Sequence, residues 1–174
     1  VVIGAPHCTP KASNERFLWA GRLAADVRAT HIICMGDFCS MDSLSSYDKK
    51  KKSFEGRRYQ KDMQHSHEAL SLFNKGLGKH KARKIMLHGN HEDRIDRFVD
   101  ENPELDGTLK ISDLNFKQYG WQEVPYKQNK VLNGVYYAHH FPSGILGSAI
   151  SGENIARTLL TKHKVSATVG HSHL

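Results

Sequence analysis

Apolar residues occur along this chain in short blocks whose internal spacing changes. Residues 1–3, Val1-Val2-Ile3, form a β-branched run that stops at Gly4, the pattern of a buried first strand. From Asn14 to about Val27 the period becomes helical, with Phe17, Leu18 and Leu23 on one face and Ser13 or Asn14 as the N-cap. A second strand is predicted over 31–35, ending at Gly36-Asp37. Residues 38 to about 56 are polar and rich in Ser and Lys, a loop long enough to signal function or disorder. Tyr59, Met63, Leu70, Phe73 and Leu77 then recur at helical spacing up to Gly78, which reads as a C-cap. Ile85-Met86-Leu87 is a third strand, followed by Gly89-Asn90-His91-Glu92 and a helix carrying Ile95, Phe98 and Val99.

Strands alternating with helices predict an α/β domain whose sheet begins parallel. The pattern changes further on. Lys130-Val131-Leu132, Asn133-Gly134 and Val135-Tyr136-Tyr137-Ala138 read as a hairpin, because Asn-Gly suits the positive φ angles of a two-residue type I′ turn. A helix from about Gly152 to Lys162 and a strand over 165–169 lead to Gly170-His171-Ser172-His173. A mixed sheet or a two-sheet sandwich fits this order better than a fully doubly wound fold.

The chain's 174 residues fit one domain, 1–174, at ~100–200 residues per domain. With 39% hydrophobic and 25% charged residues it has the material for a core, which excludes disorder, collagen and coiled coil as whole-chain readings. Its longest apolar runs, such as Ile32-Ile33-Cys34-Met35, fall far short of the ~20 residues that cross a bilayer, and no charged-then-apolar leader opens it, so no membrane partner is expected. The abrupt start at Val1 reads as a trimmed chain. Cys8, Cys34 and Cys39 are odd in number and lack zinc-type spacing, so a reducing compartment, the cytoplasm, is the expected location. A formal charge of +7 favours acidic partners such as nucleic acid. Twelve histidines ask for a site, since imidazole is both a metal ligand and a proton carrier near neutrality.

The chemically able residues all fall just past predicted strands: His7 after the first, Asp37 after the second, Asn90 and His91 after the third, His139 and His140 after 135–138, His171 and His173 after 165–169. Ligand sites of open α/β sheets lie in the crevice beyond those strand ends, so residues distant in sequence are expected to meet there. One histidine at a strand end is ordinarily structural; five strand ends carrying such groups are not. His, Asp and Asn without Cys make a nitrogen and oxygen environment suited to Mn²⁺, Fe or Zn²⁺. Asp37 is the carboxylate able to bridge two ions, and a two-metal centre of that kind serves phosphoester hydrolysis.

The series Ala5-Pro6-His7, Gly36-Asp37, Gly89-Asn90-His91-Glu92, His139-His140 and Gly170-His171-Ser172-His173 resembles the calcineurin-like metallophosphoesterases, whose motifs run Asp-x-His, Gly-Asp, Gly-Asn-His-Asp/Glu, His and Gly-His-x-His in this order. The resemblance spans residues 4–173 and implies a β-sandwich of mixed sheets flanked by helices. It implies two divalent ions, manganese foremost, with iron, zinc, nickel or magnesium as alternatives. His7, Asp37 and His173 would hold the first. Asp37 would bridge to the second, held by Asn90, His139 and His171. His139 is preferred over His140 because it directly ends its strand while its neighbour points to the opposite face. His91 matches the family's non-ligand histidine, which contacts the substrate phosphate and protonates the leaving group.

Two departures stand out. Ala5 occupies the place of a metal-binding Asp, and a methyl group binds no metal. The chain is read either as an inactivated Asp-to-Ala variant, the favoured reading with every other motif intact, or as a relative with one working site. In the family the chain continues past Gly-His-x-His with strands that complete the second sheet, so a longer protein cut short at Leu174 is expected. The basic insertion, about 40–60, brings Lys51, Arg57 and Arg58 as contacts for substrate phosphates, alongside Asn90 and His91, with Tyr47, Phe54 and Tyr59 as stacking candidates. The chain also resembles small bacterial and phage phosphoesterases, which implies a phosphodiester substrate in nucleic acid or a nucleotide. A phosphomonoesterase or protein phosphatase, and a non-catalytic nucleic-acid-binding module, are the alternatives.

Overall fold

The structure, a computed structural model, describes residues 1–143, 147–150 and 152–172. Four α-helices and parallel and mixed sheets are present among them, so the α/β class is the one the strand–helix alternation predicts. Strands β1 (Val2–Ile3), β2 (His31–Cys34), β3 (Arg83–Leu87) and β4 (Trp121–Val124) form an all-parallel sheet in that order. Val2 pairs with Ile33, Cys34 with Met86 and Leu87 with Val124. A second sheet joins β5 (Asn129–Leu132), β6 (Val135–Ala138) and, later in the chain, β9 (Ser166–Val169). β5 and β6 are antiparallel, with Leu132 opposite Val135 across the predicted Asn133-Gly134 turn, where φ is +49° and +79°. β6 and β9 are parallel, with Ala138 opposite Val169. β7 (Pro142–Ser143) and β8 (Ser148–Ala149) make a small antiparallel pair.

Alternation along β2 and β3 explains the layering. Ile32, Cys34 and Met86 face one way, into a core completed by α1 (Glu15–Asp26) and α2 (Tyr59–Leu77), with Phe17, Leu70, Phe73, Phe116 and Trp121 at its centre. Ile33, Met35, Ile85 and Leu87 face the other way and meet Leu132 and Tyr137 of the second sheet. Both faces of the central strands are therefore buried, which is why residues 32–35 and 85–87 are apolar runs without a polar side. The outer face of the second sheet is covered at Ala138 by Leu159 of α4 (Ile155–His163) together with Phe141 and Ile150.

Several expectations need correction. Leu23 does not join the apolar face of α1: it is 55% exposed, and Phe17, Gly21 and Ala24 are buried instead. Helix α1 crosses α2 closely at glycines, since a Cβ on Gly21 would stand 2.9 Å from the Leu77 nitrogen and overlap the Phe73 carbonyl. Asn14 precedes α1 but does not cap it; its amide donates to Glu68 Oε2 (2.7 Å) and to the His65 carbonyl (3.0 Å) on α2. The segment after Asp37 is not structureless but carries three 3-10 turns, Asp42–Leu44, Ser46–Asp48 and Lys52–Phe54, with Met41 and Leu44 buried beneath them. Strand β4 was not foreseen, because Trp-Gln-Glu-Val offers neither an apolar run nor alternation.

Candidate metal centre

Asp37 follows β2 in a left-handed turn, with φ +90° at Gly36 and +49° at Asp37. Such a turn costs a non-glycine residue energy, and the surroundings hold it. The buried Glu92 carboxylate accepts the backbone N–H of Gly89 (2.7 Å) and Asp37 (3.0 Å) on Oε2, and that of Cys39 (3.0 Å) on Oε1. Burial beside Asp37 pushes the Glu92 carboxyl up, against the pull of these N–H donors. One side chain thus ties the loop after β3 to the loop after β2. Asp37 Oδ1 in turn accepts the His91 N–H at 3.0 Å, and its carbonyl accepts the His7 N–H at 3.0 Å.

Two glycines permit this closeness. A Cβ on Gly89 would stand 2.9 Å from Asp37 Cγ and overlap Oδ1, and one on Gly36 would lie 2.7 Å from His139 Nδ1. Gly89→Ala is therefore expected to displace the Asp37 carboxylate. Metal content of the purified protein should fall at least about tenfold, the usual effect of disturbing a ligand's support; elemental analysis checks it, and unchanged metal content would mean the loop can shift without loss.

His139 lies at the end of β6 with Nδ1 2.8 Å from the Met35 carbonyl, an oxygen that only accepts, so Nδ1 carries the proton. In the neutral ring Nε2 then presents its lone pair 2.9 Å from Asn90 Oδ1, 3.1 Å from His171 Nδ1 and 3.4 Å from Asp37 Oδ2. Asp37, His139 and His171 form a group whose donor atoms all lie within 4.8 Å of one another, suited to a metal ion. Asp37 belongs to a second such group with His7 and His91, whose Nε2 atoms are each 3.9 Å from the same Oδ2. That shared oxygen is the chemistry of a bridging ligand.

His139 rather than His140 faces Asp37. His140 is buried behind it, 5.2 Å from the Tyr126 ring and 5.7 Å from His171, with Nδ1 lacking a hydrogen-bond partner among the described residues. Burial and the neighbouring His139 lower the His140 pKa to about 4, so it is neutral at physiological pH. Ala5 is half-buried between Gly4 and Pro6, and its methyl adds no donor atom beside His7. His173, expected on the first metal, lies outside the described residues.

His91 sits edge-on to His7, ring centres 4.6 Å apart. Its Nδ1 donates to the Ser40 carbonyl (2.8 Å), and Arg94, which belongs to none of the motifs, donates to its Nε2 (3.3 Å) and to Ser40 O (2.7 Å). Burial and the Arg94 charge lower the His91 pKa to about 3, so the ring is neutral at pH 7 and must gain a proton before it can give one. Arg94 was legible only as the arginine two residues past Glu92.

The basic insertion divides. Arg57 does not reach toward substrate: its side chain is 9% exposed and clamps Asp48 (2.8 Å) and the carbonyls of Asp42 (3.0 Å) and Ser53 (2.9 Å), holding its own loop together. Lys51 is exposed and pairs with Asp48 at 3.4 Å, while Arg58 is exposed and bonded to the Arg57 carbonyl. Neither is joined to the histidine cluster by a hydrogen bond or ion pair among the described residues. Among the described residues, no helix is long and apolar enough to cross a membrane. Compared with protein-family models, curated proteins and solved structures, the chain matches none of them.

Proposed function

We propose that this chain is a metallophosphoesterase of the calcineurin-like kind, built for two divalent ions, manganese foremost, and acting on a phosphodiester in nucleic acid or a nucleotide. The observation that carries the reading is the convergence of Asp37 Oδ2, Asn90 Oδ1, His139 Nε2 and His171 Nδ1 at the ends of strands from both sheets. Asn90 Oδ1, His171 Nδ1 and Asp37 Oδ2 lie 2.9, 3.1 and 3.4 Å from His139 Nε2, a close set of nitrogen and oxygen atoms of the kind that holds a divalent cation. Asn90, His139 and His171 with Asp37 would hold one ion; Asp37, His7 and His173 would hold the other more weakly, lacking a carboxylate at residue 5.

A divalent ion in such a site polarises a phosphoryl oxygen and lowers the pKa of water. The chain's own residues supply the rest. Glu92 and the Gly89 loop keep Asp37 aimed at both sets. Arg94 offers the only positive side chain bonded to His91 among the described residues, so it attracts an anionic ester to that ring. The ester's charge favours a protonated His91, which then donates to the leaving alkoxide.

The test is hydrolysis of bis-p-nitrophenyl phosphate and of p-nitrophenyl phosphate with Mn²⁺, compared with Asp37→Asn, alongside metal analysis of both proteins. Turnover of the diester, lost with the metal in Asp37→Asn, supports the proposal; preference for the monoester moves it to a phosphomonoesterase. A binding module without catalysis has one observation in its favour, Ala5, and would show metal without turnover even when Asp is restored there.

A further inference from the structure

Of the aromatic residues in the basic insertion, Tyr59 donates to Asp113 and is partly buried, and Phe54 lies under the Arg57 guanidinium. Tyr47 differs: it is 79% exposed, although its segment is firmly held. Leu44 and Ser45 are buried just before it, and just after it Arg57 grips Asp48 while Lys49 reaches α3 (Arg94–Glu101), 3.6 Å from Glu101 and 5.2 Å above the Phe98 ring. An exposed aromatic on an anchored turn loses little freedom when something stacks on it, which is what a binding platform needs.

The shallow depression between this turn and α3 is lined by Leu44, Tyr47, Arg94, Arg97 and Phe98, with Glu101 at its rim. Two of its lining side chains are hydrogen-bonded to residues of the candidate metal centre. Arg94 lines the depression and donates to His91 Nε2, while Arg97 donates to the Asn90 carbonyl at 3.1 Å and pairs with Asp93 at 3.2 Å. An aromatic face beside two guanidinium groups, one bond away from the residues that would hold the scissile phosphate, matches a nucleoside and its flanking phosphate: the base stacks and the phosphate meets the arginines.

We infer that the Tyr47 turn is a nucleobase subsite, so that the substrate of the centre is a nucleotide or single-stranded nucleic acid rather than a phosphoprotein or a small monoester. This rests on the proposed phosphodiesterase reading and adds to it the place where the substrate's base is held. The same depression would take a bare anion through its arginines, but only a base makes use of Tyr47.

The chain as it stands serves for the test, because slow turnover at an Ala5 centre favours measuring binding. Anisotropy of a fluorescent oligothymidylate of eight nucleotides, with Mn²⁺ and again with EDTA, would be compared for the parent protein, Tyr47→Ala and Tyr47→Phe, and repeated with an abasic oligomer of the same length. Stacking on one aromatic contributes enough that Tyr47→Ala is expected to weaken oligothymidylate binding by about tenfold, with Tyr47→Phe close to the parent. Abasic binding should be weak and insensitive to both variants. Equal loss for both oligomers would make Tyr47 a support of the turn, and no loss, or no binding by the parent, would overturn the subsite. If bis-p-nitrophenyl phosphate is still hydrolysed in those cases, the subsite alone falls; if no phosphoester is hydrolysed even with Asp at residue 5, the phosphodiesterase reading falls first.

Discussion

Ala5→Asp is expected to raise kcat toward a phosphodiester by about 10²–10⁴, or about 3–5 kcal/mol of transition-state stabilisation, as suits a carboxylate ligand added to the proposed metal centre. Residue 5 lies between the end of β1 and His7, on a loop whose N–H groups at His7 and Cys8 donate to the Asp37 and Phe38 carbonyls at 3.0 and 2.7 Å. A carboxylate there enters a loop already fastened to the Asp37 turn. The change should appear in kcat with KM nearly unaltered, because on the proposed reading Arg94, Arg97 and the Asp37, Asn90, His139, His171 set would hold an ester without it. Metal titration should reveal a second tight equivalent that the parent lacks. His91→Ala added to Ala5→Asp should keep that second equivalent and lose most of the gain on esters with poor leaving groups, since those depend on a proton donor. Two tight equivalents without hydrolysis of any phosphoester would replace the enzyme with a binding module.

Glu92→Ala carries the largest expected loss of stability. The carboxylate is buried and accepts three backbone N–H groups from two loops, and removal leaves all three without their partner. Each orphaned buried donor costs ~1–3 kcal/mol, and with local relaxation the sum is expected at about 3–5 kcal/mol. For a domain of this size that lowers Tm by about 10 °C. Metal affinity should fall as well, because the Asp37 turn at φ +49° loses what holds it. Glu92→Gln separates charge from geometry. Its oxygen can still accept from Gly89 and Asp37 while its NH₂ opposes the Cys39 N–H, so a loss of roughly half is expected. A Tm change below about 3 °C for Glu92→Ala would show that the loops hold one another without it.

Much of the frame was legible because it rests on local pattern. Apolar runs at residues 1–3, 31–35 and 85–87, the helical spacing from Tyr59 to Leu77 and the Asn133-Gly134 turn act over a few residues, where sterics and burial leave little choice. Leu23 shows the limit of such reading: helical spacing identifies a stripe but not which stripe meets the neighbouring helix, and that was decided by the close crossing at Gly21. Arg57 shows another, since a basic residue in a basic loop looks available until its carboxylate partner, nine residues away, folds back onto it.

The sequence by itself determined which residues stand at the ends of strands, because strand termini and the glycines beside them are set by neighbours in the chain. Only the tertiary structure decided how they meet. His139 was separated from His140 by the Met35 carbonyl, 104 residues earlier, which accepts the Nδ1–H and turns Nε2 toward Asn90 and Asp37. Glu92 and Arg94 acquired their roles from Asp37, Cys39 and Ser40, more than fifty residues away. A hydrogen bond depends on distance and direction in space, and neither is contained in residue type or spacing when the partners lie on different strands.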